Sequence, residues 1–354
     1  MSFDDLGNYL TNCVNRGLIP GCVCWVGTKK ETLFFEKYGY AQSIPEKVSM
    51  HRDCIFDLAS LTKPIATAVS IMLLHERGNI RLSDTIATLL PPLKGSAIES
   101  KSILQLLTHA SGLPAWYPTY MLPADNRLKD IANMSKNMDK VVYSCLGYML
   151  LGKIVEQVAH TSLDYFFKAN ITSKIGVHKL GFGSVKGELM VAATEKGNEH
   201  EKSMASQYGD VSNIDWRTDL IRGEVHDGNA YYAFNGIAGN AGLFSNTQDL
   251  ATFARAYLEG QIISRKSTEM MITDHTGGEE KRGLGWKMDM YPGLLSSRSF
   301  GHTGFTGTML VVDPQHELII ILLANAVHPS VKLNRMTPIR RETVRLITET
   351  LKAH

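Results

Sequence analysis

The sequence predicts a mixed α/β (α+β) fold: a mostly antiparallel sheet of five or more strands, flanked by terminal helices, with a helical subdomain inserted. Three observations predict it. Strand-like stretches lie toward the two ends of the chain, near 22–28 and 32–38, then near 283–289, 307–312 and 317–324. The stretch from about 79 to 230 is helical and loop-rich, with few strand signals. Helical patterns stand at both termini. The expected layout is one domain over 1–354, with a sheet subdomain from about 1–78 and 235–354 and a helical subdomain from about 79–234.

Residues 3–16 place Leu6, Tyr9, Leu10, Cys13 and Val14 on one helix face, and Gly17, Pro20 and Gly21 end it. The strands near 22–28 and 32–38 turn at Lys29-Lys30 and form a hairpin. Residues 60–77 carry the strongest helical pattern, with Ile65, Val69, Met72 and Leu73 in phase and Gly78 as terminator. Pro64 is tolerated because it falls in the first turn, where no N–H is needed. The stretch 183–229 is rich in Gly, Glu, His and Lys and is expected in exposed loops. A helix near 248–259 follows the cap candidates Ser245, Asn246 and Thr247. Asp313-Pro314 turns a hairpin whose second strand, Leu318 to Ala324, is apolar throughout and therefore central. Thr337-Pro338 opens a C-terminal helix.

Composition excludes several function classes. The 354 residues are 44% apolar with net charge +2, which fits a globular chain and argues against a polyanion as partner, so no nucleic acid is expected. Cys13, Cys22, Cys24, Cys54 and Cys145 are odd in number and scattered, so they read as reduced, packed thiols. The N-terminus carries Asp4 and Asp5 instead of a cationic start before an apolar run, and no stretch is long enough to span a bilayer. A cytoplasmic location is expected, or an exported one if a leader has been removed. Neither a metal nor another cofactor is called for. His226 and Asp227 lack further spaced ligands, and Gly147 to Lys153 misses the Ser or Thr of a phosphate-binding loop. His109 is expected to fix the Ser-Gly turn after it by hydrogen bonds, while Tyr117, Tyr231 and Trp286 could wall a cleft or pack in the core.

Three motifs could carry chemistry. Ser60-Leu61-Thr62-Lys63 is the only Ser-x-x-Lys in the chain, and it stands at a helix start. Residues three apart share a helix face, so hydroxyl and amine meet. The positive helix end and desolvation are expected to lower the lysine pKa and make it a base. Tyr143-Ser144-Cys145 precedes an amphipathic helix, where a phenol near a lysine cation can exchange protons. Gly301-His302-Thr303-Gly304-Phe305-Thr306-Gly307 spaces glycines beside a strand, which permits close approach of a ligand.

In that order and spacing, the three motifs resemble the serine β-lactamase-like and penicillin-binding protein family, the group of class C β-lactamases, D,D-peptidases and esterases. Leu106 to Pro114, Val225 to Ala230 and Ala238 to Ser245 resemble further segments of the group. The resemblance spans roughly residues 5–350. It implies a β-lactamase/transpeptidase-like fold with the cleft between sheet and helices. It implies that Ser60 is acylated, that Lys63 takes its proton or tunes the base, and that Tyr143 acts as general base and later as proton donor. His302 falls where many members hold the lysine of Lys-Thr-Gly, and the backbone N–H groups of Ser60 and Phe305 form the oxyanion hole. Cys145, Thr303 and Gly304 would line the substrate.

Two departures redirect the expected activity. Cys145 replaces the asparagine of Tyr-x-Asn, and a thiol is a weak donor and acceptor. His302, largely neutral near pH 7, replaces a cation. The sequence therefore favours an esterase or β-lactamase-related hydrolase of small ester, amide or peptide substrates, working through an acyl-enzyme. A D,D-peptidase or true β-lactamase is the alternative. A catalytically weak penicillin-binding-like scaffold is the non-enzyme alternative. The oligomeric state is left open.

Overall fold

The computed structural model describes residues 2–136, 140–187 and 190–353. Helix α1 (Asp4–Asn15) buries Leu6, Leu10 and Cys13 and keeps Asp4 and Asp5 in its first turn, where carboxylates complement the helix dipole. Strands β1 (Gly21–Gly27) and β2 (Thr32–Gln42) make the expected hairpin, and a short β3 (Val48–Ser49) pairs with β2. The segment expected as one helix over 60–77 is wound unevenly. A 3₁₀ turn over Ala59–Leu61 leads into a π-wound stretch over Lys63–Ala68 and then α2 (Val69–Glu76). Pro64 lacks the N–H that a regular ladder would use.

Helix α3 (Cys145–Ala159) is capped by Ser144, whose Oγ accepts the Gly147 N–H at 3.2 Å. Gly147 to Lys153 lies wholly inside this helix. Of the three candidate caps for α4 (Thr247–Glu259), Asn246 is the one used, accepting the Asp249 N–H at 2.9 Å. Strands β4 (Lys287–Met288), β5 (Phe300–Thr303), β6 (Met309–Asp313) and β7 (Leu318–Ala324) follow, then α5 (Met336–Lys352). The strand expected over 283–289 shrinks to two residues, because Trp286 turns into the core and donates to the Tyr257 hydroxyl at 3.1 Å.

Seven strands form one antiparallel sheet in the order β3-β2-β1-β7-β6-β5-β4. The two ends of the chain therefore meet at β1 and β7, with Cys24 opposite Leu322 and Trp25 opposite Ile321. Both faces are covered. Val23, Trp25, Leu310, Val312, Ile319 and Ile321 pack into the core that holds α2, α3 and α4. Cys22, Cys24, Val26, Val311, Ile320 and Leu322 face the other way, toward Leu6 and Leu10 of α1 and Ile339 and Ile347 of α5. Double coverage explains why β7 is apolar throughout and why Cys22 and Cys24 alternate with core residues. All five cysteines are unpaired.

The stretch 183–229 differs from the exposed loops its composition predicts. Ala193–Lys196 pairs with Leu220–Arg222, Glu199–Ala205 is helical, and Glu195, Glu201, His226 and Asn229 are buried. Residues 188 and 189 lie outside the described residues. Its polar groups are buried because they satisfy one another; Glu195 and His226, for instance, meet at 3.1 Å. Among the described residues, no helix is long and apolar enough to cross a membrane.

One close approach fixes the site's floor. A Cβ on Gly239 would fall 1.9 Å from the Tyr148 carbonyl oxygen of α3 and 2.9 Å from the Gly152 nitrogen. The Gly239 carbonyl also accepts the Thr67 hydroxyl at 2.7 Å, so this loop is pinned between α3 and the segment leading into α2. Gly239→Ala is expected to destabilise the fold by roughly 1–3 kcal/mol through overpacking. A thermal melt should fall by several degrees, and an unchanged melt would contradict the close packing.

Candidate active site

The segment that presents Ser60 is held by groups from three other parts of the chain. Phe56–Asp57 pairs with Leu243–Ser245, which also pairs with Gly181–Phe182. The buried Asp57 carboxylate accepts the Ala59 N–H at 2.8 Å and the His226 N–H at 2.6 Å. Burial raises the Asp57 pKa, and these two N–H bonds oppose the rise without cancelling it. Ala59 sits at φ +47°, a left-handed conformation that costs a non-glycine residue about 1–3 kcal/mol and turns the chain sharply before Ser60. The Thr306 hydroxyl donates to the Asp57 carbonyl at 2.7 Å and the Thr308 hydroxyl to the Leu58 carbonyl at 3.0 Å. A Cβ on Gly304 would lie 2.5 Å from that Leu58 oxygen. Glycine is required there for the end of β5 to lie against the nucleophile segment.

Lys63 is fully buried, while Ser60 is half-buried and open to the cleft. The Lys63 ammonium donates to Ser60 Oγ at 2.9 Å and to the Asn240 carbonyl at 3.1 Å. It also lies 5.0 Å from the centroid of the Tyr143 ring. Burial pushes the Lys63 pKa down, as the sequence predicts. Cys145, Tyr143 and the Asp227 carboxylate outweigh that push, so the net shift is upward and the lysine rests as a cation. The Tyr143 pKa is also raised, chiefly by burial, although Lys63 and the hydrogen bonds to Lys63 and Ser60 favour its phenolate. The expectation of a neutral lysine is thus corrected: a charge buried among acceptors keeps its proton.

Tyr143 is placed from beneath by His109. That residue has φ +61°, and its Nδ1 accepts the Ser144 N–H at 3.0 Å. Its ring centroid lies 4.6 Å from that of Tyr143 and 5.1 Å from that of Tyr148. His109 therefore fixes the loop by hydrogen bonding and packing. Cys145 starts α3, with its N–H donating to the Ala115 carbonyl at 2.9 Å and its thiol beside Lys63.

Opposite Tyr143 stands His302, with ring centroids 5.8 Å apart. Its Nδ1 donates to the Thr303 carbonyl at 2.8 Å, since a carbonyl can only accept. Its buried Nε2 has no partner among the described residues. Burial, Lys63 and Arg282 hold the His302 pKa well below the usual imidazole value, so the ring is neutral. Thr303 is half-buried at the end of β5, and the Gly304 N–H is used by the Thr308 carbonyl at 2.8 Å. The Phe305 N–H has no acceptor among the described residues. Its exposed ring stacks on His226 at 5.8 Å and on His200 at 5.7 Å.

Ser60, Tyr143, His302, Thr303, Gly304 and Phe305 all border one cleft of about 1050 Å³. Lys63 and Cys145 lie behind and beside them. Tyr117, Tyr231 and Trp286 do not border it among the described residues. Tyr117 packs edge-on to Tyr208, Tyr231 lies under the Arg217 guanidinium, and Trp286 is core. The described residues contain no group of three or more His, Cys, Asp or Glu able to hold a metal. Sequence reasoning missed Asp57, Asn240 and Arg282, and weighed Asp227 only as a metal ligand. Asn240 acts through its carbonyl, which any residue has, and Asp57 sits in an unmarked strand.

A serine beside a buried lysine, faced by a tyrosine and a Thr-Gly strand end on a seven-stranded antiparallel sheet, defines a serine hydrolase of the β-lactamase and penicillin-binding type. The chain belongs to the Beta-lactamase family, whose model matches residues 6–345. It is 31% identical over 331 residues to a putative D-alanyl-D-alanine carboxypeptidase of Escherichia coli (strain K12), covering 84% of this chain and 74% of that one. It is 30% identical over 333 residues to an N-acetylmuramyl-L-alanine amidase of Bacillus subtilis (strain 168), again covering 84% and 74%. Its fold superposes on a class C β-lactamase from Rhodobacter sphaeroides with a TM-score of 0.73 at 19% identity, over 98% of this chain and 99% of that one.

Lys63 and Tyr143 both hold their protons at neutral pH, so the group that takes the Ser60 proton must first lose its own. Reaction of Ser60 with a fluorophosphonate is therefore expected to accelerate as pH rises from 7 toward 9.5. Labelling rates followed by intact mass should climb over that interval, and a flat profile would contradict the raised pKa values.

Proposed function

We propose that this protein is an acyl-transferring hydrolase in which Ser60 carries the acyl group, acting on small ester or amide substrates. The observation that carries this reading is the 2.9 Å hydrogen bond from the buried Lys63 ammonium to Ser60 Oγ, with the Tyr143 ring centroid 5.0 Å from the same ammonium. In the proposed sequence, the Lys63–Tyr143 pair first loses one proton to water, and Tyr143 as phenolate beside the Lys63 cation then takes the Ser60 proton while Oγ bonds to the substrate carbonyl carbon. The oxyanion that forms lies against the N–H groups of Ser60 and Phe305. The unused Phe305 N–H supports that part. Collapse breaks the bond to the leaving group, which receives the proton from Tyr143. Water then attacks the acyl-enzyme, giving its proton to the same pair, and Ser60 is released. Thr303, Gly304 and Cys145 border the substrate.

Within this class the small-acyl esterase or β-lactamase-related reading rests on Cys145 and His302. A thiol does not offer the amide contact of an asparagine, and a neutral imidazole does not supply a cation. A second reading, cleavage of short peptide amides of the cell-wall kind, is favoured by the two relatives near 30% identity, both named for amide cleavage. A protonated Tyr143 suits it, since an amide nitrogen leaves only when protonated.

Intact-mass spectrometry after an activated ester or fluorophosphonate should show one adduct on the native protein and none on Ser60→Ala. An adduct on another residue, or none on the folded native protein, overturns the assignment and leaves the scaffold alternative. Cys145→Asn should raise β-lactam hydrolysis relative to p-nitrophenyl ester hydrolysis. An unchanged ratio would show that the thiol does not limit β-lactam turnover.

A further inference from the structure

Two carboxyl groups lie beyond Lys63 that the reaction described above does not use. Asp227 reaches Lys63 through Asn240, whose Nδ2 donates to Asp227 Oδ2 at 3.3 Å and whose carbonyl accepts the Lys63 ammonium at 3.1 Å. The other Asp227 oxygen accepts the Ala230 N–H at 2.8 Å and caps the helix Gly228–Phe234. Glu201 is the second carboxyl, carried by the helix Glu199–Ala205. It is 8% exposed and lies against Gly228, where a Cβ would fall 2.3 Å from its Oε1. Glycine at 228 therefore lets the Glu201 carboxyl settle next to Asp227, one residue away along the chain.

The groups that face Glu201 do not neutralise it. The Tyr120 hydroxyl donates to Oε1 at 3.0 Å. Arg217 commits its guanidinium to Asn198 Oδ1, the Val225 carbonyl and the His226 carbonyl, and its ring neighbour Tyr232 donates to Asn198. Glu195 is paired with His226 at 3.1 Å. Cys145 faces it from the start of α3 as a thiol raised by burial. On its own helix, Glu199 and Lys202 are exposed and His200 stacks on Phe305. Among the described residues, no ion pair includes Glu201 or Asp227. Two carboxyl groups this close and without a cation between them cannot both ionise at little cost. Burial first, and Asp227 second, push Glu201 up to about 8, so it carries a proton at neutral pH.

We propose that Glu201 is a positioning residue for the reaction at Ser60: its proton limits the negative charge beyond Lys63, and loss of that proton to water adds a second negative charge that holds the remaining protons on the Lys63–Tyr143 pair. This rests on the hydrolase reading above and adds a control of its pH range. The pair must lose one proton before Tyr143 can take that of Ser60, and an added negative charge nearby opposes the loss. Glu201 touches neither Ser60 nor the cleft; it acts through Asp227 and Asn240.

The test compares the native protein with Glu201→Gln, which keeps the shape and the polar contacts of the protonated carboxyl. Labelling of Ser60 by a fluorophosphonate is followed by intact mass from pH 6.5 to 9.5. At pH 7 the two rates should agree within about twofold. At pH 9 Glu201→Gln should label about three- to tenfold faster, the effect of one added charge at a protein-like dielectric constant. The native profile should bend near pH 8, and Tyr120→Phe should move the bend upward, because the lost hydroxyl favours the carboxylate. Thermal melts read the proton without catalysis. A carboxyl raised from 4.5 to about 8 contributes stability below pH 4.5 that is lost as pH climbs through 8, so the melt of Glu201→Gln should gain on the native one between pH 5 and pH 9. Parallel labelling profiles overturn the proposal, and so does a melt difference that is the same at both pH values. If Glu201→Gln does not fold, an unmoved bend in Tyr120→Phe overturns it and a raised one upholds it. A folded native protein that takes no adduct overturns the hydrolase reading, and this proposal with it. Adduct formation with parallel profiles overturns only the role of Glu201.

Discussion

The site is organised around one buried charge. An ammonium removed from water is costly unless several acceptors surround it, and Lys63 has no exposed surface. Its partners come from distant parts of the chain: Ser60 from its own turn, Asn240 from the loop after residue 235, Tyr143 and Cys145 from the start of α3. Satisfying this one cation requires those segments to converge, and their convergence builds the cleft. The same requirement keeps the lysine protonated, so its part in proton transfer depends on Tyr143.

Convergence of this kind needs backbone to approach backbone. Two glycines permit it. Gly239 lets the Asn240 loop touch the Tyr148 carbonyl, and Gly304 lets the end of β5 lie against Leu58. Threonines then tie the surfaces together, with Thr306 and Thr308 bonded to the Asp57 and Leu58 carbonyls and Thr67 to Gly239. The positive φ of Ala59 and His109 belongs to the same economy of space, since each reverses the chain beside a reacting side chain. Such strained residues persist only where the surrounding hydrogen bonds over-determine them.

Charge is distributed unevenly around Ser60. On one side lie His302, neutral, and Arg282, charged and half satisfied. On the other, Phe305 covers His226, which is bonded to the buried Glu195. A buried imidazole loses its charge to desolvation, whereas the Arg282 guanidinium is matched by the Glu280 carboxylate. The strand position beside Ser60 thus provides shape and an acceptor, and the segment before β4 provides the field.

Local periodicity determined most of the fold in the sequence. Short apolar, strand-like runs marked β1, β2, β6 and β7, helical phase marked α1, α2 and α4, and Asp313-Pro314 marked the hairpin. The three motifs were legible because each depends on short spacing: Ser60 and Lys63 meet since they are three residues apart. Composition misjudged 183–229, where polar residues are buried against one another, and it could not show that Trp286 interrupts a strand. Tertiary structure alone decided the electrostatics. Whether Lys63 is charged, whether His302 is neutral and which cation faces the cleft depend on burial and on partners far along the chain, such as Asn240, 177 residues from Lys63. Sequence spacing carries no information about such distances, because desolvation and Coulomb interactions act through space and not along the chain.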